Sequence, residues 1–499
     1  MAGTVEWNFA ARLVERLGPC SSLTDAATGR AIGPEALPRL IASYATGLRS
    51  AGLQVGDRVL IGCSLSPSST LAYLGTMYAG LVAVPVEERA LQASAAMLVE
   101  ATAAKAVWTE GDFRGGAGPK PEIVWMHGDL SESVWEVMAP AARGLSDLAS
   151  LMATSGSTGT PRFVMVSHGN LIANTEAIIR SQGLGTDERA ILILPVSYCF
   201  GASVLHTHLY QGGSVVFDRR FMFPDKVLHA TAQYGCTTFA GVPTAYNVLL
   251  RRSNVRDADL PCLRRFLQAG GALAVERINE MRAAFPATKF FVMYGQTEAT
   301  ARISCMDPEN WEKKPGSVGR PLDNVTVSIV DEEGNAVGPG QIGELLAEGP
   351  SICSGYFNDA EGTQRTFCDG WLRTGDLARQ DEQGYLWIEG RKGAFAKIRG
   401  IRVSFVEVEE KVATFPGVYE CGACAVAHSE AGEALMLFIV PDNGARVVTE
   451  QIRHYLAAHW TLDSVHVVSE LPRTSAGKIA RTELSILGKE LQCNSLKTK

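Results

Sequence analysis

Along the first 150 residues the apolar positions switch between two periods. Residues 37–51 space them helically, 59–62 form a continuous apolar run entered from the turn Gly56-Asp57-Arg58, 69–79 return to helical spacing, and 82–86 are again continuous. Residues 93–104 are Ala-rich and helical in pattern, and 106–108 are strand-like. Short continuous runs read as buried strands and the 3.6-residue period as amphipathic helix, so the alternation predicts βαβ units and a parallel sheet. The Gly/Pro-rich stretch 111–121 reads as a surface loop. The alternation resumes over 190–300, with strands at 190–194, 214–217, 237–240, 266–269 and 289–293 and a helix at 202–210. Ligands gather outside the carboxyl ends of parallel strands. Gly241, Gly270-Gly271 and Gly295 each follow such a strand and are expected to converge on one crevice.

From 316 to 392 the pattern changes to short β runs separated by Asp331-Glu332-Glu333-Gly334-Asn335, Gly338-Pro339-Gly340, Asp369-Gly370 and Asp381-Glu382-Gln383-Gly384. That is the chemistry of antiparallel hairpins or a small barrel. The remainder, from about 394, reads as a compact α+β unit. The expected fold class is α/β: a large N-terminal region of parallel α/β subdomains with a small β-barrel-like subdomain, then a small α+β C-terminal domain.

Composition narrows the partners. The 499 residues, 46% hydrophobic, supply several cores. A net charge of −7 leaves no electrostatic footprint for nucleic acid or an anionic membrane surface. The longest apolar stretch, 71–86, contains Gly75, Gly80 and Pro85 and falls short of a membrane span. No basic region leads into an apolar run at the start and Glu6 comes early, so a soluble cytoplasmic protein is expected. Eleven cysteines, an odd number, argue for reduced thiols. Cys421-Gly-Ala-Cys424 has redox or zinc spacing, but there is no second pair and only His428 nearby; the apolar run 423–427 marks a core strand instead.

The chemistry concentrates in separated segments. Thr154-Ser155-Gly156-Ser157-Thr158-Gly159-Thr160-Pro161-Arg162 follows strand-like residues 151–153 and precedes a helix at 170–179. Glycines with successive N–H groups and hydroxyls make a concave site for phosphate oxygens. Gly/Ser linkers and turns draw on the same residues, and the common nucleotide-loop spacing is absent. Tyr294-Gly295-Gln296-Thr297-Glu298 ends a buried strand, and its carboxylate suits Mg²⁺, which takes one or two carboxylates plus phosphates. Gly370-Trp371-Leu372-Arg373-Thr374-Gly375-Asp376-Leu377, Gly390-Arg391, Lys392-Gly393-Ala394, Lys397-Ile398-Arg399-Gly400-Ile401-Arg402-Val403 and Pro472-Arg473-Thr474-Ser475-Ala476-Gly477-Lys478 follow in that order.

The order and content of these segments, over roughly residues 40–485, resemble the adenylate-forming superfamily of acyl-CoA synthetases, nonribosomal peptide adenylation domains and luciferases. The resemblance implies an enzyme that activates a carboxylic acid with ATP as an acyl-adenylate, releases pyrophosphate, and passes the acyl group to a phosphopantetheine thiol. It assigns the ATP to Thr154, Ser155, Gly156, Ser157, Thr158, Gly159, Arg162, Gly271, Ala272, Tyr294, Gly295, Gln296, Thr297, Asp376 and Arg391. Within that set Tyr294 packs on adenine, Thr297 bonds the α-phosphate and Asp376 clamps the ribose. Glu298 is the Mg²⁺ ligand and Lys478 the catalytic lysine. Gly393 is the hinge between residues 1–392 and a mobile domain 393–499. The chain has Arg162-Phe163 where the family has Lys-Gly, and Gly393 where it usually has Asp or Lys.

Pro195-Val196-Ser197-Tyr198-Cys199-Phe200-Gly201-Ala202-Ser203-Val204 aligns with the family's substrate helix. Amino-acid-activating members carry Asp where this chain has Gly201; a buried ammonium without a partner is very costly, so an ordinary α-amino acid is disfavoured. The pocket is expected to comprise Tyr198, Gly201, Ala202, Leu205, Leu267, Ala269, Gly270, Met293 and Ala301; Arg302 either meets a polar group on the acid or points to solvent, and solvent is the favoured reading. An aliphatic or aryl acid is expected. The acceptor, coenzyme A or an acyl carrier protein, stays open. Amino-acid adenylation with atypical ammonium recognition and luciferase-like oxygenation are the alternatives.

Overall fold

The structure is a computed structural model and describes residues 7–111, 124–127, 137–154, 161–391, 395–398, 401–413, 415–428, 432–442, 449–457, 460–473 and 479–497. Its first sheet is six-stranded, in the order Val124–His127, Ala106–Thr109, Arg58–Cys63, Val82–Glu87, Leu148–Thr154, Arg162–Ser167. All neighbours are parallel except the last pair. The crossovers are the expected helices Pro67–Tyr78 and Glu88–Thr102, and the expected helix Ala36–Ser50 leads into the strand Arg58–Cys63. Pro67–Tyr78 starts at Ser66, whose hydroxyl accepts from Ser69 N, with Pro67 in the first turn. The loop expected at 111–121 lies outside the described residues from 112 on.

One difference from the sequence reading matters for the site. Arg162–Ser167 is a strand antiparallel to Leu148–Thr154, so a further strand precedes the expected helix. Phe163, Val164 and Val166 are buried on both faces of that strand, which removes the alternation that would have marked it. The helix His168–Gln182 begins only after it, closed by a reciprocal capping box between Ser167 and Asn170.

The second sheet has nine strands, with Lys289–Tyr294, Arg265–Gln268, Thr238–Gly241, Arg189–Leu192 and Ser214–Phe217 as its parallel centre. Register places Phe266 beside Phe290 and Leu267 beside Phe291. The first pair faces Tyr246, with ring centroids 6.0 and 5.2 Å away. Each fully buried aromatic of this kind contributes about 2 kcal/mol. Leu267 and Met293 therefore share the other face. The helix Cys199–Tyr210 is buried along its whole length, its polar Ser203, His206, Thr207 and His208 included.

The third sheet is antiparallel and joins Thr326–Val330, Gly343–Glu348, Trp371–Gln380, Phe367–Cys368 and Leu386–Arg391. The C-terminal part builds its own five-stranded sheet and its own core around Val408, Ala423 and Leu437. Its long strand Val418–His428 settles the Cys pair. Cys421 faces Glu409, its Sγ 3.2 Å from the main-chain oxygen, and Cys424 faces Leu484 O at 3.6 Å. The two belong to different clusters on opposite faces of one strand, so they form neither a disulfide nor a shared metal site. Among the described residues no helix is long and apolar enough to cross a membrane.

Candidate active site

The parallel strands Thr238–Gly241, Arg265–Gln268 and Lys289–Tyr294 are neighbours, so their carboxyl ends, with Gly241, Gly270-Gly271 and Gly295, lie side by side. The chain turns back sharply after Tyr294. A Cβ at Gly295 would stand 2.0 Å from Ala301 O, so only glycine fits. Thr300 closes the turn at φ 65°, ψ −55°, a strained conformation for a β-branched residue. Its hydroxyl donates to Ser351 O at 2.7 Å.

Asp376 enters from the antiparallel sheet, where its register opposite Arg391 is set by the pairing of Trp371–Gln380 with Leu386–Arg391. Tyr294 Oη donates to Asp376 Oδ2 at 2.6 Å and Arg391 Nε to Oδ1 at 3.0 Å. Burial and the neighbouring carboxylate push the Tyr294 phenol up, so it is a neutral donor. Asp376 is 7% exposed, and its own N–H bonds Thr374 Oγ1. Tyr294, Asp376 and Arg391 thus meet, and the tyrosine hydroxyl orients the carboxylate, a contact the sequence did not announce.

Glu298 Oε1 accepts from Tyr356 Oη at 2.8 Å. Arg162 lies over the Tyr356 ring at 5.4 Å and pairs with Asp359 at 3.2 Å. Tyr356 and Asp359 were absent from the candidate set. They arrive because Met165 N bonds Gly355 O and Phe357 N bonds Phe163 O, laying 355–357 against the strand that follows the loop. Thr154 Oγ1 reaches Arg162 O at 3.5 Å across the mouth of the hairpin. Thr297 is buried, and Gln296 Nε2 is buried without a partner among the described residues. Gly271 and Ala272 are exposed at the crevice edge, with Gly271 O held by Gln268 Nε2 at 2.8 Å. Ser155, Gly156, Ser157, Thr158, Gly159, Gly393 and Lys478 lie outside the described residues. No group of three or more His, Cys, Asp or Glu among the described residues is placed to hold a metal. The lone Glu298 carboxylate fits an ion whose other ligands are phosphates and water, as Mg²⁺ prefers.

On the acid side Ala202, Leu205, Leu267, Ala269, Met293 and Ala301 are all buried. Ala202 and Ala301, with Cys199, Ser203 and Thr300, line a small enclosed cavity reaching Tyr73 and His206. Met293 Sδ is held 3.2 Å from Gln182 Nε2. Tyr198 packs on Gly270, where φ is 90° and a Cβ would stand 2.9 Å from the phenol oxygen. At Gly201 a Cβ would lie 2.2 Å from Pro195 O and 2.8 Å from Leu194 O, so the position is a close approach of helix to preceding loop. One expectation is corrected. Arg302 does not point to solvent. It is 2% exposed, with its Cζ 5.0 Å over the Phe200 ring. Asn174 bonds both its main-chain N and O, which draws the side chain inward.

Comparison with known proteins supplies the family. The family described as AMP-binding enzyme matches residues 35–357, and its C-terminal domain matches 407–478. A feruloyl-CoA synthase of an Amycolatopsis species is 32% identical over 474 residues, covering 91% of this chain and 94% of that one. The 4-coumarate–CoA ligase-like 3 of Oryza sativa is 30% identical, covering 92% and 85%. ATP-bound MatB of Rhodopseudomonas palustris superposes with a TM-score of 0.87 at 28% identity, covering 97% and 99%. The chain belongs to the AMP-binding enzyme family, the adenylate-forming superfamily, and is an AMP-forming acid–thiol ligase.

Proposed function

We propose that this ligase activates an aliphatic or aryl carboxylic acid and passes the acyl group to coenzyme A, with a carrier-protein phosphopantetheine as the chemically equivalent alternative. The observation that carries the reading is the Asp376 carboxylate fixed from both sides by Tyr294 and Arg391 at the carboxyl edge of the sheet. An ionised carboxylate so oriented accepts from the two ribose hydroxyls. Gly271 and Ala272 form the adenine edge, Thr297 meets the α-phosphate, and Ser155, Gly156, Ser157, Thr158 and Gly159 with Arg162 bind the distal phosphates. Glu298 holds the Mg²⁺, which neutralises phosphate charge when bound.

The acid's carboxylate oxygen attacks the α-phosphorus in line. A P–O bond forms, the bond to pyrophosphate breaks, and Lys478 stabilises the charge that develops. The small domain then turns about Gly393, removing Lys478. The thiolate attacks the acyl carbon and AMP leaves with the bridging oxygen. The lack of room at Gly201 supports an acid without an α-ammonium. We place the enzyme in the cytoplasm, where ATP and coenzyme A are both held. Pyrophosphate release with ATP and Mg²⁺ across fatty, aryl and amino acids tests the reading, with Lys478→Ala as control. Acid-dependent release lost in the variant is expected; best turnover on a zwitterionic amino acid would contradict it.

A further inference from the structure

Arg302 is the one feature of the acid side that the reading above leaves unused. A buried guanidinium normally sits in an ion pair, because desolvating a charge costs more than most contacts return. Here no ion pair or hydrogen bond joins the guanidinium to any described residue, and Nε is fully buried without a partner. The groups facing it are Phe200, Tyr198, Cys199 and Cys305. Burial holds the Tyr198 phenol well above its ordinary range and the Cys305 thiol at about 11, so neither supplies a negative charge at neutral pH. The ring of Phe200 offers only a cation–π contact.

The place of this charge is specific. Gly295, which opens the nucleotide turn, is so close that a Cβ on it would lie 2.8 Å from Arg302 Cα. Tyr198, which faces the guanidinium, also packs on Gly270, where a Cβ would stand 2.9 Å from its phenol oxygen. Ala301, the preceding residue, lines the enclosed cavity. The charge is therefore held one residue from the expected acyl pocket.

We propose that Arg302 receives a second carboxylate on the substrate, so that the acid activated is a dicarboxylic acid. One carboxylate goes to the α-phosphate and the other pairs with the guanidinium. This rests on the acid-activating reading and names its substrate class. A site built around an unpaired buried donor discriminates strongly, because an analogue without the matching group leaves the donor unmet. Arg suits a carboxylate through its planar fork of donors, which Lys lacks.

The test uses matched acids in which one carboxylate is replaced by a methyl group: straight-chain diacids against monoacids, and carboxy- against methyl-substituted aryl acids. Wild type is expected to prefer the diacid of at least one pair by tenfold or more in kcat/KM. Arg302→Met should abolish or invert that preference while turning over the monoacid, and Arg302→Lys should restore part of it. The melting temperature of ligand-free protein supplies a readout that a structural role would move the other way. Removing an unpaired buried charge should raise it in Arg302→Met, whereas loss of a purely structural cation–π contact would lower it. Calorimetric binding of the acids without ATP separates the two levels of the account. Absence of pyrophosphate release with every acid overturns the ligase reading alone, provided diacids still bind wild type and not Arg302→Met. Preference for the monoacid in every pair, no diacid binding by wild type, or diacid binding unchanged by Arg302→Met overturns this inference and leaves the ligase reading standing.

Discussion

The two sides of the crevice handle charge differently. On the nucleotide side Asp376 holds Tyr294 and Arg391, Glu298 holds Tyr356, and Arg162 holds Asp359. On the acid side the buried surface is apolar or neutral, and its one cation, Arg302, meets no counter-charge among the described residues. A ligand that never changes can be met by groups already oriented by the protein, which cost no reorganisation when it binds. The side that chooses between acids gains more from a charge only the right acid satisfies. The difference teaches where to look for selectivity: among the unpaired buried groups rather than the well-connected ones.

The comparison can be broken in several places. The largest effect is expected from Gly201→Asp, which would push a side chain into Pro195 O, 2.2 Å from where its Cβ must stand. Overpacking against backbone costs several kcal/mol, so the variant should be largely insoluble. A well-folded Gly201→Asp protein that activates amino acids would show that the helix has room after all. On the nucleotide side, Asp376→Asn keeps the shape but loses the charge that two donors share. Hydrogen bonds to charged groups contribute about 1.5–3 kcal/mol, so kcat/KM for ATP should fall about a hundredfold, with acid selectivity unchanged.

Acid should also act unequally on the two sides. The substrate helix carries His206 and His208, both buried, with pKa values lowered by desolvation from 6.5 to about 3 and about 4. Each is neutral in the folded protein, so below about pH 6.5 the unfolded chain binds more protons and stability falls as pH drops. At about pH 5 each histidine costs about 2 kcal/mol. Denaturant midpoints between about pH 7 and pH 5 check this, and a midpoint unchanged over that range would remove it. The smallest effect is expected from Tyr356→Phe, which deletes one bond to Glu298 and about 1 kcal/mol. Its signature is a severalfold higher Mg²⁺ requirement, with ATP affinity in excess Mg²⁺ preserved.

Much of this organisation was legible from local patterns. Strand and helix periods located both parallel sheets, and Gly295 stood out as a glycine after a buried strand, whereas Asp376, inside the strand Trp371–Gln380, was marked only by the resemblance of its segment to the family. The strand Arg162–Ser167 was not, since burial on both faces erased its alternation. Tyr356 reaches Glu298 only because a distant segment pairs with that same strand, which no local spacing encodes. Arg302 misled for a related reason. A charged residue after a turn normally reaches water, but the strained Thr300 and the two Asn174 bonds direct it inward. The close approach of Pro195 O to Gly201 is likewise a tertiary contact that no local spacing encodes.

The central claim is attack by the acid on the α-phosphorus. It is tested most directly by labelling the substrate carboxylate with ¹⁸O and following a full turnover with ATP and coenzyme A. The account predicts one labelled oxygen in AMP and none in pyrophosphate. Label in inorganic phosphate with ADP as co-product would place the attack at the γ-phosphorus and contradict it.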